Sequence, residues 1–443
     1  MKNHRTEEME ALRKRWALIQ NMGGPKVYIE QELRKKGVLR VHRPILTELR
    51  TDREKNEAIA AYRAEYSERR KLRAFVWEAY KAVHITHLGL DIFWTDILED
   101  DFFDPFERKR RIEDSDLPMI ESIDQLILCL KEAVPELDLS MLRWFAYHRD
   151  VAKTCHYKQF SIPKKTGGHR QIWAPKEQLK SLQRWILENI VERMPIHGAA
   201  HGFVPGRSIV SNAEEHVDSA LVVNLDLENF FPSFSFRRVK GIFRAAGYME
   251  GIATILALLC TEAPRYVLRL EEETLYVAKG KRCLPQGSPA SPMLTNVACM
   301  RLDRRLAGYA EKNGWRYSRY ADDLSFSVPQ GSKASVNIKK LMSYIQMVVA
   351  EEGLRIHPEK TSVRGIGQRQ EVTGLIVNGK GRPRVPKELK KRMRAALYNA
   401  QQGRELQGEN IKDITQMMGY GAFVYATSKE EGRVWIEAFQ KLL

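Results

Sequence analysis

The spacing of hydrophobic residues divides the chain into two regions of different texture. Early in the chain, apolar residues such as Leu12, Trp16 and Ile19 recur at helical spacing among many Arg, Lys, Glu and Ala residues. Further along, segments with helical periodicity, including 121–134 and 177–194, alternate with short apolar runs typical of buried strands. The pattern predicts a basic helical module followed by a compact region of mixed helices and strands.

Short apolar runs in the second region predict a buried strand and a hairpin. Residues 220–226 are rich in β-branched side chains and end in a carboxylate, which predicts a buried strand. Residues 317–320 and 324–328 predict two strands joined by a tight turn. Residues 289–312 predict one long helix, and residues 387–401 predict a basic helix after a stretch that contains Pro and Gly.

The charge of the chain points to a polyanionic partner. Lys and Arg number 72 against 56 Asp and Glu, which gives a formal net charge of +16. An excess of this size attracts polyanions, most often nucleic acid, although a solubilising surface charge has the same composition. The five cysteines are scattered and form no CxxC pair, which argues against a disulfide framework or a zinc ribbon.

The sequence also bears on location. The N-terminus is charged and lacks the apolar region of a signal peptide, and no segment approaches the roughly 18 apolar residues of a membrane span. Scattered cysteines are typical of a reducing compartment. We therefore expect a cytoplasmic protein without a membrane partner.

Three carboxylates fall where predicted strands end. Asp226 closes the buried strand, and Asp322 and Asp323 occupy the hairpin turn. Ionised carboxylates that leave buried strands are costly unless they are paired or bound to cations. Two Mg²⁺ ions meet that need, because they prefer oxygen ligands and keep other positions for water and substrate phosphates. A solvated turn is the alternative for an isolated Asp-Asp pair.

Segments around these carboxylates resemble, in the required order, the catalytic blocks of reverse transcriptases. The segments are NLDLENFFPS at 224–233, LPQGSPASP at 284–292, YADD at 320–323 and GLRIHPEKT at 353–361. The resemblance implies an α+β right-hand polymerase with fingers, palm and thumb. In that fold an antiparallel palm sheet is backed by helices, here with a helical N-terminal extension added.

Further elements resemble those of bacterial retron reverse transcriptases. Residues 212–216 match an NAxxH element, residues 372–374 match a VTG element, and residues 200–210 are similar to the same group. The resemblance covers roughly 117–443. We accordingly expect three domains: a basic helical extension over 1–115, fingers and palm over 116–380, and a thumb over 381–443.

The resemblance implies roles for the residues of the catalytic blocks. Asp226, Asp322 and the backbone carbonyl of Leu227 hold the metals, and Asp323 completes the acidic site. The residues implied to bind the incoming nucleotide are Arg170, Leu227, Phe231, Gln286 and Lys360. Phe231 is placed beneath the sugar, where a ring excludes a ribose 2′-hydroxyl. Core packing beside Phe230 is the alternative for this side chain.

The resemblance also implies RNA-binding residues outside those blocks. The NAxxH and VTG elements supply Asn212, His216, Val372, Thr373 and Gly374, whose alternative role is to brace the palm. The predicted basic helix presents one cationic face suited to backbone phosphates, although a solvated helix has the same pattern. The residues of that face are Lys387, Lys390, Lys391 and Arg394.

A retron-type enzyme is expected to synthesise DNA from dNTPs with Mg²⁺ on a cognate structured non-coding RNA. The resemblance implies priming from a guanosine 2′-hydroxyl, a branched RNA–DNA product, and anti-phage defence alongside an effector protein. The C-terminal region is too short for a ribonuclease H domain, so we expect a host ribonuclease H to remove the template. The alternatives are a group II intron-type maturase and a catalytically inactive RNA-binding scaffold.

Overall fold

The computed structural model describes residues 13–14, 16–35, 44–46, 49–81, 107–147, 150–163, 169–270, 273–332, 337–404 and 414–442. Contacts divide the chain into two compact units. The smaller unit contains helices α1 (Pro25–Lys35) and α2 (Asp52–Lys81) and strand β1 (Val151–Ala152). Leu12 lies outside the described residues, whereas Trp16 and Ile19 lie in a helical stretch, as their spacing predicts.

The larger unit contains most of the described residues from 107 onward. Its helices are α3 (Arg108–Asp114), α4 (Ile123–Leu130), α5 (Leu139–Ala146), α6 (Glu177–Asn189), α7 (Ile209–Glu214), α8 (Phe236–Ala246), α9 (Glu250–Cys260), α10 (Ser291–Ala298), α11 (Met300–Lys312), α12 (Ile338–Glu351), α13 (Lys387–Gln401), α14 (Ile414–Thr427) and α15 (Lys429–Gln440). Its strands are β2 (Tyr157–Pro163), β3 (His169–Pro175), β4 (Ser219–Asp226), β5 (Arg265–Leu270), β6 (Glu273–Ala278), β7 (Arg316–Tyr320), β8 (Asp323–Pro329), β9 (Ser362–Gly365), β10 (Glu371–Val372) and β11 (Leu375–Ile376). Short 3₁₀ helices cover Val191–Arg193, Phe231–Ser233 and Pro358–Lys360.

The larger unit starts earlier than the boundary expected at residue 115. Helix α3 lies before that boundary, yet its Ile112 is only 1% exposed. Arg111 Nη1 also donates to the carbonyl of Ala245 in α8 at 3.0 Å. A run of charged residues hides this single apolar anchor in the sequence. The larger unit is not divided near residue 380, so that boundary stays a prediction.

The larger unit contains a four-stranded antiparallel sheet. The strand order is β7-β8-β4-β9, so β4 is paired on both edges. Val222, Val223 and Leu225 of β4 are at most 1% exposed, as expected for an interior strand. The predicted strand and hairpin are both confirmed, and Tyr320 pairs with Asp323 across the hairpin turn.

Helices pack beside this sheet. Helix α11 contacts β7 and α12, and the buried Leu302, Leu306 and Leu341 contribute apolar surface to this packing. The single helix predicted over 289–312 is instead two helices, α10 and α11, separated at Cys299. Arg238 Nη2 donates to the carbonyl just before the break at 3.0 Å. A side chain that supplies a partner for a helix carbonyl is a common cause of such breaks.

Two antiparallel hairpins accompany the sheet. Strands β2 and β3 pair over their whole length, and β5 pairs with β6 in the same way. The tip of the β2–β3 hairpin, at 164–168, lies outside the described residues. The two hairpins are separate from the four-stranded sheet, and they add further antiparallel structure to the α+β fold.

One hydrophobic cluster joins the C-terminal helices to the sheet. Helix α13 has the bounds predicted from its pattern and turns its apolar side inward. We call the cluster the C-terminal core; its buried members are Ala213, Val222, Val372, Leu375, Val377, Val385, Leu389, Met393, Ala396, Met417, Val424, Trp435 and Phe439. The NAxxH and VTG elements both contribute to it, through Ala213 and Val372.

Cysteines and helix hydropathy agree with the composition. All five cysteines are free thiols. Among the helices of the described segments, none has the length and apolar character required to cross a bilayer.

Candidate active site

The structure brings the predicted carboxylates and nucleotide-binding residues to one cavity. Asp226 and Asp322 line a cavity of about 980 Å³. Its walls include every residue expected to bind a nucleotide: Arg170, Leu227, Phe231, Gln286 and Lys360. Asp323 pairs with Asp226 across the sheet, so its backbone adjoins the same site. Segments far apart in sequence therefore meet in one place.

The hairpin between β7 and β8 sets the position of Asp322. Ala321, the first turn residue, has a φ of +56°, which is the left-handed region. The backbone N–H of Leu227 donates to the carbonyl of Asp322 at 2.9 Å. The N–H of His357 donates to the carbonyl of Asp226 at 2.8 Å. Backbone hydrogen bonds thus join three segments that carry predicted site residues.

A lysine pairs with the carboxylate of β4. Lys360 Nζ lies 2.9 Å from both carboxylate oxygens of Asp226. Lys360 ends the 3₁₀ helix Pro358–Lys360, and about half of its side chain is exposed. Asp226 is therefore placed to hold a cation at the cavity wall.

Burial and neighbouring negative charge raise the pKa of Asp322 and Asp323. Partial burial is the main cause of the raised pKa of Asp322, and the charge of Asp226 adds to it. Desolvation, followed by the charges of Asp322 and Asp226, raises the pKa of Asp323 to about 7. The carboxylates of this cluster therefore repel one another, and a bound cation would reduce that repulsion.

We expect this cluster to make the metal-free protein less stable as the pH rises from about 4 to about 7. The unfolded chain releases the Asp323 proton near pH 4, whereas the native chain keeps it to about pH 7. Asp323→Asn should raise the free energy of unfolding at pH 8 by about 1 kcal/mol or less, because Asp323 is desolvated by its neighbours on one side while solvent reaches it on the other and screens the repulsion. Denaturation at pH 5 and pH 8 measures the difference. Asp114→Asn, at an exposed helix end, is the control, and an equal gain at both pH values would contradict the expectation.

Two adjacent phenylalanines have different surroundings. Phe230 is 3% exposed and packs edge-on against Phe234 with ring centroids 5.1 Å apart. Phe231 is only partly buried and lines the cavity. The sequence predicts no role for Phe203, which is 47% exposed and has a φ of +61°; its ring centroid lies 6.4 Å from those of both Phe231 and Tyr320. Phe230 is therefore the residue that packs in the core, and Phe231 is not.

The loop that carries Gln286 is pressed against β3. The N–H of Trp173 donates to the carbonyl of Gln286 at 2.8 Å. Gly287 has a φ of +125°, and a Cβ there would lie 2.8 Å from both Ile172 Cγ2 and the Trp173 carbonyl oxygen. Only glycine fits this approach. Arg170 lies on the same strand, opposite Ile162, so β3 and the loop together form one wall.

The NAxxH element is buried beneath the sheet surface. His216 has no exposed surface, its Nδ1 lies 2.8 Å from Ser327 Oγ, and its Nε2 lies 2.7 Å from Ser318 Oγ. Burial lowers the pKa of His216 to about 3, so the ring is neutral. Asn212 is also fully buried, and its side-chain amide has no hydrogen-bond partner within the described part of the chain.

The VTG element is a tight turn. Val372 pairs with Leu375, and the intervening Thr373 and Gly374 have φ values of +47° and +82°. Positive φ at both central residues is typical of a type I′ hairpin turn, which explains the glycine. Thr373 Oγ1 donates to the carbonyl of Ile209 at 2.9 Å, which ties this turn to helix α7.

These positions correct the expected contact with RNA for Asn212, His216 and Val372, whereas Gly374 is exposed and Thr373 is only partly buried, so their contact with RNA stays a prediction. Asn212, His216 and Val372 have at most 1% of their surface exposed, so their side chains do not reach RNA in this conformation. Their partners are interior groups of the sheet and the C-terminal core. The bracing role fits this placement. Nothing in the short polar segment around Asn212 distinguishes the two roles in the sequence.

The basic face of α13 is mostly accessible. Lys387, Lys391 and Arg394 are exposed, whereas Leu389 and Met393 on the opposite face are buried. The fourth predicted residue, Lys390, is partly buried, and its Nζ donates to Glu431 Oε2 of α15 at 2.7 Å. Lys390 therefore connects two helices, and the other three cations form the accessible surface.

Comparison with known proteins shows the family to which the chain belongs. A family model described as reverse transcriptase (RNA-dependent DNA polymerase) matches residues 162–378. The retron Mx162 reverse transcriptase of Myxococcus xanthus is 40% identical over 443 residues, which is 98% of this chain and 90% of the relative. The retron Ec86 reverse transcriptase of Escherichia coli is 28% identical over 334 residues, 75% of this chain and 92% of the relative.

The family match bears on the fold as well. The antiparallel sheet, the helices beside it and the matched domain confirm the predicted α+β right-hand polymerase. A solved telomerase from Candida tropicalis aligns with 66% of this chain and 54% of the telomerase chain. The identity is 13% and the TM-score is 0.37, a likeness too low to bear on the fold. With 40% identity across nearly its whole length, the chain belongs to the retron reverse transcriptases and is an RNA-directed DNA polymerase.

Proposed function

We propose that this enzyme copies a cognate structured non-coding RNA, which is both template and primer, into DNA. Synthesis starts from the 2′-hydroxyl of a guanosine and gives a branched RNA–DNA product. The supporting observation is the cavity, where the acidic Asp226 and Asp322 share walls with the basic Arg170 and Lys360. Such a charge pattern suits a triphosphate bound through metal ions, and it disfavours an inactive scaffold. Likeness over nearly the full length of a retron enzyme disfavours an intron maturase.

The donor set fits Mg²⁺, and reverse transcriptases generally use divalent metal ions. In the described segments, no group of three or more His, Cys, Asp or Glu side chains is arranged to hold a metal ion by itself. Mg²⁺ is usually held by one or two carboxylates together with substrate phosphates, so a complete cage is not required. The ammonium of Lys360 lies 2.9 Å from both oxygens of Asp226, and this ion pair supports the proposal that the carboxylate binds a cation.

We assign the two-metal site to Asp226, Asp322 and the carbonyl of Leu227, with Asp323 beside them. When bound, the ions activate the attacking hydroxyl and stabilise charge on the leaving pyrophosphate. The chain's own residues orient the reactants. Hydrogen bonds from the N–H groups of Leu227 and His357 fix the carboxylate-bearing segments before substrate binds.

Three residues of the cavity lining are proposed to hold the nucleotide. Arg170 on β3 is placed to clamp the triphosphate with charge-assisted bonds. Gln286 contacts the incoming nucleotide from a loop fixed to the same strand. Lys360 pairs with Asp226 in the free enzyme and lines the same cavity, and we propose that it donates a proton to the leaving group.

Phe231 is proposed to select deoxyribonucleotides. We expect Phe231→Ala to incorporate ribonucleotides about 10²-fold more efficiently relative to dNTPs, because the change opens space for a 2′-hydroxyl without affecting the carboxylates. Single-nucleotide incorporation with dNTP and rNTP pairs measures the ratio of kcat/KM. Phe203→Ala is the matched control, since it removes the neighbouring ring 6.4 Å away. Unchanged discrimination in Phe231→Ala would remove Phe231 from the nucleotide site.

RNA binding is proposed to use the exposed face of α13. Lys387, Lys391 and Arg394 contact backbone phosphates, and this contact supplies affinity that falls with salt. Lys390 and the NAxxH and VTG elements contribute indirectly, because they fix α13 to α15 and to the sheet. This surface thus belongs to a helix whose other side packs in the C-terminal core.

A reconstituted reaction tests the proposed function. The purified protein is incubated with the non-coding RNA encoded beside it, dNTPs and Mg²⁺. We expect DNA that remains attached to RNA after ribonuclease digestion and that a 2′,5′-debranching enzyme releases. A product primed only from a 3′-hydroxyl would reject branched priming while leaving the polymerase activity in place.

The biological role proposed is defence against phage in the cytoplasm, together with an effector protein and a host ribonuclease H. A phage challenge of cells that carry the complete locus, with and without Asp322→Asn, tests this part. Equal protection by both loci would separate defence from DNA synthesis.

A further inference from the structure

A fully buried arginine precedes the YADD hairpin. Arg319 has no exposed surface, and its Nε and Nη2 donate to the two carboxylate oxygens of Asp303 at 2.8 and 2.7 Å. Nη1 donates to Asn296 Oδ1 at 3.0 Å and to the carbonyl of Ala321 at 3.1 Å. The planar fork of arginine is needed to make both sets of bonds at once.

The bond to Ala321 acts on the peptide group that precedes Asp322. Ala321 has a left-handed φ, which residues with a Cβ disfavour, so its carbonyl needs a partner to keep that direction. On the other side of Asp322, the carbonyl is fixed by the N–H of Leu227 at 2.9 Å. Both peptide groups that flank Asp322 are therefore held, one by Arg319 and one by Leu227.

A second segment presses on the same turn. A Cβ on Gly202 would lie 2.7 Å from the backbone nitrogen of Ala321. The carbonyl of Gly202 accepts a hydrogen bond from Asn296 Nδ2 at 2.8 Å, and Asn296 also accepts from Arg319. One buried amide thus connects the arginine with the segment that packs against the turn.

We propose that Arg319 is a positioning residue that holds the Ala321–Asp322 peptide in the geometry required for metal binding. The inference rests on the proposed function, in which Asp322 is a metal ligand. The charge of Arg319 is already balanced by Asp303 at two contacts. The bonds from Nη1 add nothing to that balance, and they are the ones that reach the catalytic turn. A residue that orients a ligand from outside the coordination shell affects metal affinity before it affects the fold.

Three variants separate this role from ordinary packing. Arg319→Lys keeps a cation opposite Asp303 and loses the fork to Asn296 and Ala321. Gly202→Ala leaves every side chain of the network unchanged and displaces the Ala321 nitrogen sterically. Tyr317→Phe is the matched control, because it removes the Tyr317 hydroxyl bond to Asp303 Oδ1 at 2.8 Å and touches no part of the turn.

The primary measurement is Mn²⁺ binding by the full-length protein without nucleotide, followed by electron paramagnetic resonance. We expect Arg319→Lys and Gly202→Ala to weaken Mn²⁺ binding about tenfold, as the loss of one well-placed hydrogen bond would, and Tyr317→Phe to leave it within about twofold. In primer extension, the first two variants should require correspondingly more Mg²⁺, with the KM for dNTP little changed at saturating metal.

The outcomes are distinct. If Arg319→Lys does not fold, Gly202→Ala decides the question alone. Wild-type Mn²⁺ affinity in a folded Gly202→Ala or Arg319→Lys protein would overturn the positioning role. Asp322→Asn tests the underlying assignment: if it binds Mn²⁺ as tightly as wild type, the proposed metal site fails, whatever the Arg319 variants do.

Discussion

Replacing Asp322 by Asn should reduce DNA synthesis by a factor of about 10³ while RNA binding remains at the wild-type level. The amide keeps the size of the side chain but removes the charge that would hold a metal beside Asp226. The basic face of α13 is untouched, so electrostatic attraction for RNA persists. Primer extension and filter binding on the same preparation measure both properties.

Asp323→Asn provides a second test of the acidic site and should also abolish synthesis. Asp114→Asn, a change of the same chemistry at an exposed ion pair in α3, is the control for effects of lost charge. Extension at the wild-type rate by Asp322→Asn would end the two-metal assignment. Loss of RNA binding together with extension would indicate misfolding instead, which circular dichroism detects.

Replacing His216 by Ala should lower the free energy of unfolding by about 3 kcal/mol. The change leaves the hydroxyls of Ser318 and Ser327 without their ring partner inside the sheet and opens a cavity. Chemical denaturation measures the loss. Glu215→Ala, on the exposed side of the same segment, is the matched control and should cost little.

The two roles of the NAxxH element predict different enzyme behaviour. Because Asn212 and His216 are buried, we expect the double Ala variant to lose extension equally on the cognate RNA and on a generic primed template. Selective loss on the cognate RNA, with normal stability, would restore direct recognition.

Acid should also destabilise the wild-type protein below about pH 6.5. In that range the unfolded chain binds a proton at His216, whereas the buried ring of the folded protein stays unprotonated down to about pH 3.

The strands and the carboxylate site could be predicted from the sequence because their signals are local. A β-branched run ending in Asp226 and two short strands around Asp322 have strong periodicity. The order of the catalytic blocks then indicated that these carboxylates belong to one site. The break at Cys299 could not be predicted in this way, since Arg238, from a distant helix, supplies the partner at that point.

The burial of polar residues was the larger failure of prediction from the sequence. Arg319 and His216 carry polar side chains of types more often found at the surface, yet both have 0% exposure. Their partners, Asp303 for the first and two serines for the second, come from other elements and become neighbours only in the folded sheet. A pattern read along one segment contains no information about a partner on another.

The contact of Gly287 with β3 has a consequence for protein engineering. The loop and the strand interlock through backbone and a missing side chain, so neither half can be exchanged alone for that of a relative. A chimaera that imports a β2–β3 hairpin with a bulkier residue opposite Gly287, or a loop with any side chain at that position, would dislodge Gln286. Grafts intended to change nucleotide preference must therefore transplant 157–175 and 284–292 together.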